Sequence, residues 1–129
     1  ETDAIYLLDT PDVITRKVKR AVTDTDGLIR HDIANKPGVS NLLSMLSAIT
    51  GESFAALEER FTGKGYGHLK GEVAEAIVAV LQPVQARYAD IRADGAGLQR
   101  VLRDGAERAS VKADATLKRV YEVLGFIPA

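Results

Sequence analysis

Between His68 and Ile91, apolar residues return every three or four positions, at Leu69, Val73, Ile77, Val80, Leu81, Val84, Tyr88 and Ile91. That period belongs to an α-helix and not to a strand. The spacing therefore predicts one long helix from about His68 to Ile91, the longest in the chain and the spine of its core. Pro83 lies inside it. Because the same apolar stripe resumes beyond the proline, the missing N–H is expected to bend the helix rather than end it.

Shorter segments repeat the helical period. Thr10 can accept from the free amides of a first turn, and Pro11 suits the first helical position, so a helix is predicted over Thr10 to Val22. At 100° per residue Ile14, Val18, Ala21 and Val22 share one side, and Arg16, Lys19 and Arg20 cluster opposite. From Val39 to Ile49 the apolar side is Val39, Leu42, Leu43, Met45, Leu46 and Ile49, with Gly51 as a left-handed cap. Ser53 caps a short helix carrying Phe54, Leu57 and Phe61, stopped by Gly63, and the two read as an antiparallel pair. After Ala93 to Gly97, a short helix around Leu98 to Asp104, a break or bend at Gly105 and a last helix over Ala106 to Leu124 are expected. That last helix would bury Ala109, Ala113, Leu117, Val120, Tyr121 and Leu124. Only Ala4 to Leu8 reads as a strand or an extended lead-in. The fold class is all-α, a bundle of five to six helices.

At 129 residues, a single domain is the natural expectation. Residues 1–9 read as a lead-in and 10–129 as the helical domain. Apolar residues at 46% and charged residues at 27% supply a core and a soluble surface. A formal net charge of −1 excludes a global electrostatic attraction to nucleic acid, so any such site must be a local patch. There is no cysteine, which removes disulfides, thiolate metal sites and cysteine nucleophiles and fits a reducing compartment. No apolar run approaches the roughly 20 residues of a membrane helix. A soluble, cytoplasmic protein without membrane contact is expected.

Catalytic chemistry is not visible in the sequence. His31 and His68 are far apart, and the carboxylates are interleaved with lysines and arginines as on a solvated helix surface. "DTDG" (Asp24 to Gly27) lacks the alternating ligands and terminal Glu of a calcium loop, so it reads as a turn and no metal site is expected. "GKGYG" (Gly63 to Gly67) follows a helix and lacks the Gly-Lys-Ser/Thr ending of a nucleotide loop. A helix cap followed by a turn is the plainer reading; a residual anion site would rest on Lys64 and Lys70.

The strongest candidate for a polyanion contact is "TRKVKR" (Thr15 to Arg20), in which Arg16, Lys19 and Arg20 can reach one phosphate backbone from one helix face. A solvated face whose long stems cover the core is its plain alternative. The following run, Thr23 to Gly38, has no apolar period and carries turn signals at Asp26-Gly27 and Pro37-Gly38. Sixteen structureless residues in a compact domain are usually functional. Arg30, His31, Asn35 and Lys36 offer donors to unstacked bases, and Asp24, Asp26 and Asp32 offer acceptors. His31 by itself reads as an ordinary surface residue.

The run "LLDTPDVITRKVKRAVTDTDGLIRHDIANKPGVSNLLSMLSAITG" resembles the C-terminal part of bacterial tryptophanyl-tRNA synthetases, and "GKGYGHLKGEVAEAIVAVLQPVQARYADI" and "LQRVLRDGAERASVKADATLKRVYEVLGF" are similar to that family's later helices in the same order. The resemblance covers Ala4 to Phe126. It implies a helical domain that contacts the tRNA anticodon and moves relative to a Rossmann catalytic domain lying upstream with its KMSKS loop. It implies that tryptophan activation with ATP and magnesium belongs to that other domain, that this chain holds no catalytic residue and no cofactor of its own, and that the intact enzyme is a homodimer acting on tRNA(Trp). By the same resemblance the tRNA-binding candidates are Arg16, Lys17, Lys19, Arg20, Asp24, Asp26, Arg30, His31 and Lys36, with Lys64 and Lys70 added from the turn. His31 replaces a tyrosine common in the family's "IRYD" run. In "KPGVSNLL" only Lys36, Ser40 and Asn41 are candidates for solvent or partner contact. A second reading is a non-catalytic helical module that docks onto another protein domain, with the basic helix as its rim.

Overall fold

The computed structural model describes residues 4–126 and is all-helical, with five helices and no strand among them: α1 (Pro11–Arg20), α2 (Pro37–Thr50), α3 (Phe54–Arg60), α4 (Tyr66–Ala93) and α5 (Gly95–Leu124). The chain divides into two compact units, Glu1–Ala86 and Arg87–Ala129. The boundary falls within α4.

In the first unit, α1 begins as its sequence dictates: Pro11 occupies the first turn and the Thr10 hydroxyl accepts from the Val13 N–H at 3.4 Å. It ends at Arg20, two residues before the expected limit, so Val22 is 86% exposed rather than part of the apolar side. α2 begins at Pro37, not after a Pro37-Gly38 turn, because the proline again serves as the first helical residue. Gly38 is required there: a Cβ on it would stand 2.1 Å from the Val22 carbonyl oxygen. Gly51 adopts φ 77° and closes α2, and the Ser53 hydroxyl caps α3 through the Ala56 N–H at 3.3 Å.

The core of this unit joins Ile14 and Val18 of α1, Val39, Leu42, Leu43 and Leu46 of α2, Leu57 and Phe61, and Leu69, Val73, Ala74 and Ile77 of α4. Each of these side chains other than Ala74 contributes about 1.5–3 kcal/mol on full burial, so this cluster and not helix propensity holds the unit together. The lead-in is neither a strand nor free. Gln85 Nε2 donates to the Leu7 and Asp9 carbonyls, both at 2.9 Å, and Lys17 Nζ donates to the Ala4 carbonyl and the Asp9 carboxylate, both at 2.7 Å.

α4 corrects the expectation of a spine. It continues through Pro83, but full burial stops at Ile77; Leu81 still packs half-buried against the core, and Val80, Val84, Tyr88 and Ile91 are exposed. The stripe persists beyond the residues that α1, α2 and α3 supply to cover it. α5 corrects the last segment twice. It is a single helix through Gly105, capped by the Asp94 carboxylate on the Gly97 N–H at 2.8 Å, and none of its residues is buried. Ala109, Ala113, Leu117, Val120 and Leu124 are exposed, and Tyr121 is half-buried.

Candidate nucleic-acid interface

The cations of α1 separate into two groups. Arg16, Lys19 and Arg20 are exposed and form no ion pair among the described residues. Two of them lie in the last turn, where positive charge suits the helix C-terminus. Lys17, one residue out of phase with them, is committed: it pairs with Asp9 at 2.7 Å and stands 4.6 Å from the centre of the Tyr6 ring. The Lys17 hydrogen bond, helped by the Tyr6 N–H, holds the Asp9 carboxyl below the usual carboxylate range. Lys70 is committed as well, donating to the Ala21 carbonyl at 2.8 Å and so satisfying the end of α1 from α4.

The loop between α1 and α2 is held by a buried charge. Lys36 is 4% exposed, and its ammonium donates to Asp24 at 3.0 Å, to Asp26, and to the Tyr66 hydroxyl at 3.3 Å. The Tyr66 hydroxyl also bonds to Asp24, to Asp26 at 2.9 Å and to the Leu28 carbonyl at 3.2 Å. Burial acts to lower the Lys36 pKa, but the bonds to Asp26 and Asp24 outweigh it and raise the value above that of an ordinary lysine. Burial and the bond to Asp24 push the Tyr66 hydroxyl up to about 12. The Tyr66 bond, aided by Lys36, depresses Asp24; the Lys36 bond and the Leu28 N–H depress Asp26. Near neutral pH Lys36 is therefore protonated, Asp24 and Asp26 are ionised, and Tyr66 keeps the neutral hydroxyl that bonds to them. Asp24 Oδ2 is buried without a hydrogen-bond partner among the described residues.

This latch changes the standing of several candidates. Lys36 presents almost no surface and acts as the internal tie of the loop, against its sequence reading as a donor to bases. Asp24 and Asp26 are its counter-ions. Ser40 is buried, not a solvent-facing partner: its hydroxyl accepts from the Asp32 N–H at 2.8 Å. Asn41 remains exposed. Turn chemistry matches expectation at Asp26-Gly27, where Gly27 has φ 77° and the Asp26 carboxylate accepts from the Leu28 N–H at 2.8 Å.

Past the latch, the loop shows a second surface. Arg30 is exposed over 58% of its side chain and pairs with Asp32 at 3.0 Å. Asp32 also accepts from the Asn35 amide at 2.9 Å, and the Asn35 bonds followed by Arg30 lower its pKa. The His31 ring stacks on Phe54 of α3, with centroids 3.8 Å apart and planes at 9°, and the His31 N–H donates to Glu58 at 2.7 Å. His31 is thus a fixed, half-buried ring rather than a free surface residue. Lys64 stands 5.3 Å from the Phe61 ring and 3.9 Å from Glu72. The structure therefore leaves Arg16, Lys19 and Arg20 as open cations, with Arg30 and His31 on an ordered loop. Sequence reasoning missed Tyr66, Phe54 and Glu58. Tyr66 was legible only as the residue before Gly67, where the expected start of α4 at His68 left it in a turn.

No three His, Asp or Glu residues among those described stand together as metal ligands, and Gly63 to Gly67 leads from one helix into the next. No helix among the described residues is long and apolar enough to cross a membrane.

Comparison with known proteins agrees with the helical architecture. The family model described as tRNA synthetases class I (W and Y) matches residues 1–82. The chain is 50% identical over 123 residues to the tryptophan-tRNA ligase of Corynebacterium efficiens, covering 95% of this chain and 36% of that protein. It is also similar to the crystal structure of tryptophanyl-tRNA synthetase from Mycoplasma pneumoniae, with a TM-score of 0.70 and 30% identity over 98% of this chain and 38% of that one. The chain thus spans well under half the length of either relative.

Proposed function

Since the chain belongs to the class I tRNA synthetases for W and Y, we propose that it is the tRNA-facing, non-catalytic part of a tryptophan-tRNA ligase. The observation that carries this reading is the α1 face of Arg16, Lys19 and Arg20, whose side chains are exposed and form no ion pair among the described residues, joined to a loop that Lys36 holds in place. Three cations on one helix face meet consecutive phosphates of one strand, and the Arg30 and His31 side of the loop meets unpaired bases. In this reading the intact enzyme joins tryptophan to tRNA(Trp) with ATP and magnesium, in a separate Rossmann domain and as a cytoplasmic homodimer. This chain supplies anticodon recognition and moves relative to that domain.

Binding of the 129-residue chain to tRNA(Trp) tests the proposal. The expected result is saturable binding that weakens steeply with salt and prefers the cognate anticodon over a changed one. Absence of binding, or equal binding to both tRNAs, would contradict it. A second reading has its own observation. α5 exposes Val101, Leu102, Val111, Leu117, Val120 and Val123, apolar area suited to docking on another protein domain.

A further inference from the structure

A groove of about 540 Å³ opens between α1, α2 and the lead-in residues Ala4 and Ile5. Its volume falls within the roughly 300–1,000 Å³ of small-molecule pockets. The walls are aliphatic: Ile5, Val13, Val18, Leu42 and Met45 line it, and no aromatic ring does so among the described residues. Arg16 and Arg20 also line it, both exposed and four residues apart on α1, so they lie on one side of that helix. Neither forms an ion pair among the described residues. Lys17 lines the groove too, but its ammonium is held by Asp9 and the Ala4 carbonyl.

The lead-in side of the groove is fixed in place. The Asp9 N–H donates to the Tyr6 carbonyl at 3.1 Å and the Tyr6 N–H to the Asp9 carboxylate at 2.9 Å, which closes a turn. Lys17 fastens that turn from α1 and Gln85 from α4, and Ile5 packs against the core. A wall held in this way does not have to be ordered by the ligand, which lowers the cost of binding.

The occupant follows from the chemistry of these parts. Branched aliphatic side chains beside an adaptable thioether accept a flexible hydrocarbon chain. They offer no ring face on which a planar group would stack. Two guanidinium groups beside them ask for a compact anion, and their planar forks match a carboxylate. Hydrocarbon chain and carboxylate occur together in an alkyl carboxylate.

We propose that this groove binds a free medium-chain alkyl carboxylate, with the chain along Val13, Leu42 and Met45 and the carboxylate at Arg16 and Arg20. The site goes beyond the RNA-binding reading and does not rest on it, since no part of the assignment needs nucleic acid.

The test titrates the whole chain with butanoate, hexanoate, octanoate and 1-octanol, each below the concentration at which it forms micelles, and follows methyl and amide resonances by NMR. Octanoate is expected to bind saturably and to move the resonances of Val13, Leu42 and Met45, leaving Val101, Leu102 and Val111 of α5 in place. From butanoate to octanoate the affinity should rise about threefold for each added CH₂. Arg16→Gln and Arg20→Gln combined, both at exposed sites, should weaken octanoate binding about tenfold and leave 1-octanol binding and the melting temperature unchanged, which separates the carboxylate contact from the chain contact. Vesicles containing phosphatidylglycerol should not retain the chain. Absence of saturable octanoate binding, shifts confined to α5, or equal octanoate affinity in the parent and the double variant would overturn the assignment. Retention on vesicles without a response to free octanoate would overturn it as well, and would make this face a contact for a lipid surface.

Discussion

The outer face of α1 and the loop that follows it are built from the same stock of residues, arginines, lysines and aspartates, and the structure uses them in opposite ways. On α1, Arg16, Lys19 and Arg20 face outward with no ion pair among the described residues. In the loop, Lys36 is surrounded by Asp24, Asp26 and Tyr66 and is nearly closed to solvent. The difference is burial. An exposed cation loses little by waiting for a partner, whereas a buried one must be paired inside the fold. Open charge is therefore available for binding, and closed charge holds the shape that binding requires.

Breaking the closed side should give the largest effect. Lys36→Met removes the ammonium and leaves two carboxylates facing each other, so the melting temperature should drop on the order of ten degrees, with loss of amide protection across Thr23 to Lys36 in hydrogen exchange. A drop no larger than that of an exposed lysine would remove the latch from the account. Tyr66→Phe keeps the ring and deletes the shared hydroxyl; a loss of about 1–2 kcal/mol in denaturant unfolding is expected.

The same cluster fixes a pH profile. Asp24 and Asp26 have folded values below the ordinary 3.8, so their contribution is full above that pH and disappears as pH falls through the folded values. Tyr66 is raised from 10.0 to about 12, so its contribution is full below pH 10 and disappears as pH rises toward 12; Lys36, also raised, acts in the same direction. Unfolding monitored from acid to alkali should show a plateau between those limits, with a shallower alkaline fall in Tyr66→Phe. Phe54→Ala sharpens the comparison further, since it unstacks His31 without touching the latch. About 1 kcal/mol of stability should be lost, with the His31 ring resonances shifting in NMR.

Much of the first unit was legible in the sequence because its signals are local. Thr10-Pro11, Gly51 and Ser53 mark helix ends through hydrogen bonds made within a few residues, and the apolar period of α2 and of early α4 names the core. What could not be read locally is pairing at a distance. Lys36 meets Tyr66 across thirty residues of sequence, and nothing in the composition of the loop says that this lysine, rather than Lys19 or Arg30, turns inward. Apolar period misled for the opposite reason: Val80, Val84 and the α5 residues have the right spacing, but spacing does not supply a surface to pack against. Of the candidate site, the basic face of α1 was visible from the helix period alone, whereas the order of the loop beside it was not.

Salt dependence of RNA binding tests the division between open and closed charge most directly. For the parent chain and for Arg16→Ala, Lys19→Ala and Arg20→Ala combined, the logarithm of affinity for tRNA(Trp) is measured against the logarithm of salt concentration. The account predicts an unchanged melting temperature for the triple variant, weaker binding, and a slope reduced by about 2 to 3 because three phosphate contacts are gone. An unchanged slope, or a variant that melts early, would contradict it.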